Sequence, residues 1–175
     1  MIEKTLKKLQ EAKFFLARLK SVDEQMFANE PESFEFYLSA FLSAARSVTF
    51  VLQREEKDKY DAWFPGWSGR LSEEERAIMT FFKDERNASQ KEGSSKATAT
   101  WDFIPVTKIK SDYKSGRHPI YGWEWFGPPG TPVPEVGVRK YSFETEGEPR
   151  KVTEECQRYL DILERLVTDF IRAQS

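Results

Sequence analysis

The sequence is poor in the residues that build disulfides and metal sites. It contains one cysteine and one histidine, Cys156 and His118. A lone cysteine cannot close an internal disulfide, and the two side chains together leave a zinc site without a full ligand set. We therefore expect no metal and no cofactor. Such sparse cysteine usage is typical of a reducing compartment, and we expect a cytoplasmic protein.

An excess of one charge and a long apolar run are also missing. The 27 basic and 29 acidic residues leave a net charge of −2, which predicts no general attraction to nucleic acid or to a membrane surface. The most apolar stretch, Phe36 to Leu52, is interrupted by Arg46 and is shorter than the ~20 apolar residues of a membrane span. The N-terminus is charged and has no apolar core, so we expect no signal peptide and no membrane partner.

Glycine and proline are scarce in the first 92 residues, which hold two of the nine glycines and two of the nine prolines. Apolar residues recur there at three- and four-residue steps over Ile2–Phe27, which predicts a first helix. A second helix is predicted over Glu30–Lys59, apolar on nearly all sides and therefore central. In the segment 61–70, Pro65-Gly66 predicts a turn whose flanking aromatic residues fold back onto the helices.

Two further helices are predicted from local signals. Ser72 and Glu75 match a capping box, and they start a helix that runs to about Lys91. The last helix, Thr153–Arg172, shows a strict alternation of three- and four-residue steps. We expect its apolar face to be buried against the second helix; the members of that face are Val152, Cys156, Tyr159, Leu163, Leu166 and Phe170.

The segment 93–149 differs from the rest because it holds seven of the nine glycines and seven of the nine prolines. We predict three strands, Thr100–Lys108, Ile120–Phe126 and Val136–Glu144, which are followed by a short return strand. The predicted fold is mainly α, a four- to five-helix bundle with a small antiparallel β insertion before the last helix. We expect a single domain over 1–175, with the bundle in 1–92 and 153–173 and the insertion in 97–152.

Aromatic residues are dense in this insertion. On the predicted strand Ile120–Phe126, the side chains of Tyr121, Trp123 and Trp125 share one face. The stretch 96–118 holds five basic and two acidic residues, and aromatics interleaved with cations can stack on and neutralise single-stranded nucleic acid. The commoner role of such a face is packing on neighbouring helices as an accessory core.

One short motif gives a functional lead. The predicted third helix ends with Arg86 and Asn87, three further residues and then Lys91. This arrangement resembles the HEPN superfamily, which comprises small helical domains of prokaryotic toxins, antiviral ribonucleases and nucleotide-binding modules. The family signature is an arginine, four to six residues and a histidine, and here Lys91 occupies the histidine position. The resemblance covers the predicted helices and does not account for the β insertion.

The resemblance implies a binding site that contains Arg86, Asn87 and Lys91, and a symmetric homodimer. Metal-free RNA cleavage needs a base for the 2′-hydroxyl proton and a cation for the phosphate. Arginine supplies the cation, but a lysine ammonium already carries its proton at neutral pH and is a poor base. We therefore expect a non-catalytic module that binds RNA, a nucleotide or a partner protein.

Two alternatives stay open at this point. The first is an active, toxin-like, metal-independent endoribonuclease that uses Arg86 with Lys91. The second is a purely structural protein-interaction domain that matches the signature by accident. In that case Arg86, Asn87 and Lys91 form the polar end of an ordinary helix.

Arg46 is the other candidate, because it interrupts the most apolar helix with Ser43 and Ser39 before it on nearly the same side. A buried arginine needs an acidic partner or several acceptors. The functional interpretation places Arg46 and these serines in the same polar cleft as Arg86. The simpler interpretation, which we prefer, is an ion pair with Asp84 or Glu85, or a guanidinium that reaches solvent.

Overall fold

The computed structural model describes residues 2–24, 31–93, 95–105, 132, 135–144 and 148–174. Within these ranges the fold is mainly α-helical with a small antiparallel sheet before the last helix, as the sequence predicted. The helices are α1 (Glu3–Asp23), α2 (Pro31–Glu55), α3 (Lys57–Gly69), α4 (Glu73–Glu92) and α5 (Val152–Ala173). The strands are β1 (Ala97–Pro105), β2 (Glu135–Phe143) and β3 (Arg150–Lys151). No helix in the described parts of the chain combines the length and apolarity needed to cross a membrane.

The ends of α4 follow from its own sequence. The backbone N–H of Glu75 donates to Ser72 Oγ at 3.1 Å, and the backbone N–H of Ser72 donates to Glu75 Oε2 at 2.9 Å. This reciprocal pair is the predicted capping box. At the other end Gly93 adopts a positive φ of 77°, a conformation that glycine reaches without steric cost. Both boundaries are local, and the prediction for this helix is confirmed.

The predicted turn at 61–70 is wrong, because these residues continue α3 with Pro65 inside the helix. A proline in a helix interior costs about 3 kcal/mol, since it removes one backbone hydrogen bond and crowds the preceding turn. Buried aromatic rings contribute more, about 4–6 kcal/mol each by area. Trp67 is buried and its Nε1 donates to Asp169 Oδ2 at 3.0 Å, and Trp63 lies 5.3 Å from the Phe170 ring. The aromatics therefore do fold back onto the bundle, but from a helix.

The predicted apolar face of α5 is buried along its whole length, from Val152 to Phe170. Its partners are more numerous than predicted, because α5 packs against α1, α3 and α4 as well as α2. The Tyr159 ring, for example, stacks on Phe82 of α4 at 4.5 Å and 5°. The α5 helix therefore packs against all four other helices rather than against α2 alone, and α2, predicted to be central, likewise contacts all four.

The sheet has the strand order β1-β2-β3, and β2 pairs antiparallel with β3 through Ser142↔Lys151 and Phe143↔Arg150. The predicted strand Val136–Glu144 and the return strand are confirmed as β2 and β3. The predicted strand Thr100–Lys108 overlaps β1 over Thr100–Pro105, and residues 106–108 and the predicted strand Ile120–Phe126 lie outside the described residues. The chain divides into two compact units, Met1–Thr98 with Tyr141–Ser175, and Ala99–Lys140. The helical unit thus includes the end of β2, where Phe143 packs 5.0 Å from Phe81. The single-domain organisation stays a prediction.

Candidate functional site

The predicted motif lies on the last turns of α4. Arg86 is half-buried and its Nη1 donates to Asn87 Oδ1 at 3.3 Å. Its Nε atom is buried and has no hydrogen-bond partner among the described residues. Neither Arg86 nor the exposed Lys91 forms an ion pair within the described part of the chain. The helix end therefore carries two cations that no described carboxylate neutralises.

These two cations point in different directions. Arg86 and Lys91 are five residues apart, which separates them by about 140° around the helix and ~7.5 Å along it. Asn87 lies one turn from Lys91 on the same side, whereas Ser89 lies nearly one turn from Arg86. Arg86 and Lys91 of one chain are thus poorly placed to converge on a single reacting phosphate.

Arg86 lies where α4 meets α2. The Ser89 hydroxyl donates to Ser39 Oγ at 3.5 Å, and the Phe41 and Phe82 rings lie 6.4 Å apart, so the two helices run antiparallel. Ser43 is one turn after Ser39, and Arg86 is one turn before Ser89. The register therefore brings Ser43 and Arg86 to the same level. We call Ser39, Ser43, Arg86 and Ser89 the α2–α4 seam.

Arg46 does not form the predicted internal ion pair with Asp84 or Glu85. Its Nη1 donates to Thr49 Oγ1 at 2.9 Å, and its guanidinium lies 4.3 Å from the centre of the Phe50 ring. Glu85 faces elsewhere, because it is buried and its Oε2 accepts a hydrogen bond from the Lys96 backbone N–H at 3.0 Å. Arg46 is held by a hydroxyl and an aromatic face instead of a carboxylate.

A cavity of about 320 Å³ lies at Arg46, one turn along α2 from Ser43. It lies between α2, α3 and α4, and its lining residues are Arg46, Thr49, Phe50, Gln53, Tyr60, Asp61, Phe64, Pro65 and Met79. Ser43 and Arg86 are not among them, so the single cleft expected for Arg46, Ser43 and Arg86 is divided into the seam and this cavity.

Two ionisable side chains that line the cavity have opposite protonation states: Tyr60 is protonated and Asp61 is ionised. Burial raises the pKa of Tyr60, so its phenol keeps its proton. Hydrogen bonds from Gln53, at 2.7 Å, and from Lys57, at 3.2 Å, lower the pKa of Asp61 and keep it ionised. The sequence analysis missed Tyr60 and Asp61 because it predicted one helix to Lys59 and a turn over 61–70, whereas α2 ends at Glu55 and α3 begins at Lys57. The spacing of Tyr60, Phe64 and Trp67, four and then three residues, was the helical signal that could have located them.

Metal and thiol chemistry find no support in the described residues, where no three His, Cys, Asp or Glu side chains come together as metal ligands. Cys156 is fully enclosed in the core, and burial raises the pKa of its thiol well above the ordinary value. His118 lies outside the described residues. The seam offers a cation and hydroxyls, which suit an anionic group, whereas the cavity combines the Arg46 cation and aromatic faces with the ionised Asp61.

The family described as bacteriophage lambda protein ea47 matches residues 8–131. The chain belongs to the ea47 family. The part of the chain that matches the ea47 family contains the whole α2–α4 seam and all the residues that line the cavity. No curated protein and no solved structure matches the chain.

Proposed function

We propose that this member of the ea47 family is a non-catalytic, HEPN-like binding module that holds a phosphate-bearing ligand, RNA or a nucleotide, at the α2–α4 seam. The supporting observation is Arg86, a half-buried arginine at the level of serine hydroxyls and without an acidic partner among the described residues. A guanidinium presents several N–H donors in one plane and matches phosphate oxygens in pairs. Serine hydroxyls donate to the same kind of oxygen.

Binding without cleavage is favoured by the position of Lys91. It takes the place of the signature histidine, but it is exposed and on a different side of α4 from Arg86. A proton acceptor that acts on a ribose hydroxyl has to lie within hydrogen-bond reach of it while the cation holds the neighbouring phosphate. The endoribonuclease alternative is therefore weaker than the binding module.

A matched pair of variants tests the proposal. Arg86→Ala should weaken the binding of a nucleoside diphosphate or a short RNA about tenfold or more, because a charge-assisted hydrogen bond contributes about 1.5–3 kcal/mol. Arg76→Ala removes an exposed arginine near the other end of α4 and should leave binding nearly unchanged. Calorimetric titration at two salt concentrations measures both, and wild-type affinity should fall with salt. Equal affinities for Arg86→Ala and Arg76→Ala would refute binding at the seam.

We also propose that the protein forms a two-fold symmetric dimer, which the HEPN resemblance implies and which is the commonest closed assembly. Sedimentation equilibrium at tens of micromolar measures the assembly state. A monomer at that concentration would contradict the dimer without affecting the seam.

A further inference from the structure

The β1 strand exposes two large aromatic side chains on one face. Trp101 is 58% exposed and Phe103 is 61% exposed, and alternate residues of a strand share a face. Both belong to the compact unit Ala99–Lys140. Single exposed rings are common on protein surfaces, but two adjacent ones form a contiguous apolar patch, which is a candidate binding surface.

The neighbouring strand β2 holds these rings in place. A Cβ atom on Gly137 would lie 3.1 Å from Trp101 Cε3 and 3.4 Å from Phe103 Cε1, so both rings lie against a backbone that has no side chain at that point. The Arg139 guanidinium lies 4.7 Å from the centre of the Trp101 ring. We call Trp101, Phe103 and Arg139 the aromatic platform.

The charge of the platform is positive. On the alternate positions of the same two strands, Asp102 pairs with Lys140, so this carboxylate is neutralised on the other face. Arg139 forms no ion pair among the described residues. In sequence, the unit 99–140 contains six basic and four acidic residues, an excess of two positive charges in a chain whose net charge is −2.

We propose that the aromatic platform stacks unpaired bases of a single-stranded nucleic acid, while Arg139 faces the phosphate backbone. Aromatic rings bind bases of any sequence through their faces, and an adjacent cation neutralises the strand. Two residues along a strand are ~6.6–6.8 Å apart, about twice the ~3.4 Å charge spacing of a duplex strand, so the two rings suit an unstacked strand. The platform shares no residue with the α2–α4 seam, and the proposal does not depend on Arg86.

Surface variants test the platform without disturbing the core. Fluorescence anisotropy of a labelled oligouridine of ~8 nucleotides, within the usual site sizes of small single-strand binders, measures affinity. Trp101→Ala and Phe103→Ala should each weaken binding roughly five- to hundredfold, the effect of losing one base–aromatic stack. Trp101→Tyr should retain most of the affinity, because it keeps a stacking ring. Arg139→Gln should lower the slope of affinity against salt by about one phosphate contact.

The matched control is Phe14→Ala. Phe14 is also an exposed phenylalanine, 52% exposed, and it also has an arginine over its ring, Arg18 at 5.2 Å, but it lies on α1. Its removal should leave binding unchanged. The same titration with an oligothymidine shows whether DNA binds as well as RNA. A fully paired RNA hairpin should bind more weakly than either single strand.

The outcomes separate this site from the seam. The platform proposal is overturned if the oligouridine does not bind, if the hairpin binds as well as the single strand, or if Trp101→Ala and Phe103→Ala bind like Phe14→Ala. Loss of binding in Arg86→Ala with normal binding in both platform variants would support binding at the seam and contradict binding at the platform. Loss in the platform variants with normal binding in Arg86→Ala would support the platform and reject the seam.

Discussion

Single residues at the ends of helices connect distant parts of this chain, and Glu55 is the clearest case. The α1 helix starts without a side-chain cap of its own, and Glu55 at the end of α2 accepts hydrogen bonds from the backbone N–H groups of Lys4, at 3.0 Å, and Thr5, at 2.9 Å. The Thr5 hydroxyl donates to the same carboxylate at 2.7 Å. Burial acts to raise the pKa of Glu55, but these hydrogen bonds outweigh it, and the pKa is lowered.

Glu55→Gln should therefore reduce the free energy of unfolding by about 0.5–2 kcal/mol at neutral pH, the usual effect of losing a helix N-cap. Because the pKa is lower in the folded state, the contribution is fully present above the ordinary glutamate pKa of about 4.3 and is lost as the pH falls through the folded value. Urea unfolding of wild type and variant at several pH values measures this, and the difference between them should shrink in acid. Glu35→Gln, an exposed glutamate of α2, is the control, and an equal effect of both changes would exclude a capping role.

At the scale of elements, helices with local signals were predicted from the sequence, and α3 was not. Ser72 and Glu75 cap α4 through contacts within one turn of the helix. In α5, the alternation of three- and four-residue steps between apolar residues predicts the buried face directly. The Pro65-Gly66 turn signal is also local, but it is overruled by contacts with a helix about a hundred residues later, such as Trp67 with Asp169. No single-sequence pattern contains that contact. Arg46 differs, because its partners Thr49 and Phe50 lie three and four residues later on its own helix, a spacing that the sequence does contain.

Pro65→Ala tests the strain in α3. The change restores a backbone donor inside the helix, which is worth more than the ~0.4–1 kcal/mol that proline contributes by restricting the unfolded chain. Pro65 is exposed, so little packing is lost. We expect the free energy of unfolding to rise by about 1–2 kcal/mol, whereas Pro149→Ala, outside any helix or strand, should lower it slightly or not at all. A loss of stability in Pro65→Ala would show that the proline supports α3 rather than straining it.

Leu163→Ala tests the buried face of α5. Leu163 is fully buried, and truncation at such a site costs about 2–5 kcal/mol because it removes apolar contacts and leaves a cavity. Denaturant unfolding should show this loss. Ile171→Ala, at an exposed position of the same helix, should cost much less. Similar losses in the two variants would contradict the assignment of the buried face.

At the scale of the whole molecule, the candidate site could be predicted only in part. The sequence identified Arg86, Asn87 and Lys91 as a group and Arg46 with Ser43 as a second one. It could not show that Arg86 and Ser43 share the α2–α4 seam while Arg46 lines the cavity beyond it, because helix register is set by packing between distant residues. The exposure of Trp101 and Phe103 was likewise not predictable, since the same aromatic pattern serves a core strand or a binding surface.

The most direct test of a non-catalytic seam is to incubate a labelled single-stranded RNA with the purified protein and to measure binding and cleavage in the same samples. The proposal predicts that wild type binds the RNA and leaves it intact, that Arg86→Ala binds at least about tenfold more weakly, and that neither produces fragments above the buffer control. Lys91→His, which restores the signature histidine, shows whether that position can supply the missing base. Cleavage by wild type that is abolished in Arg86→Ala would contradict the binding module and establish the endoribonuclease in its place.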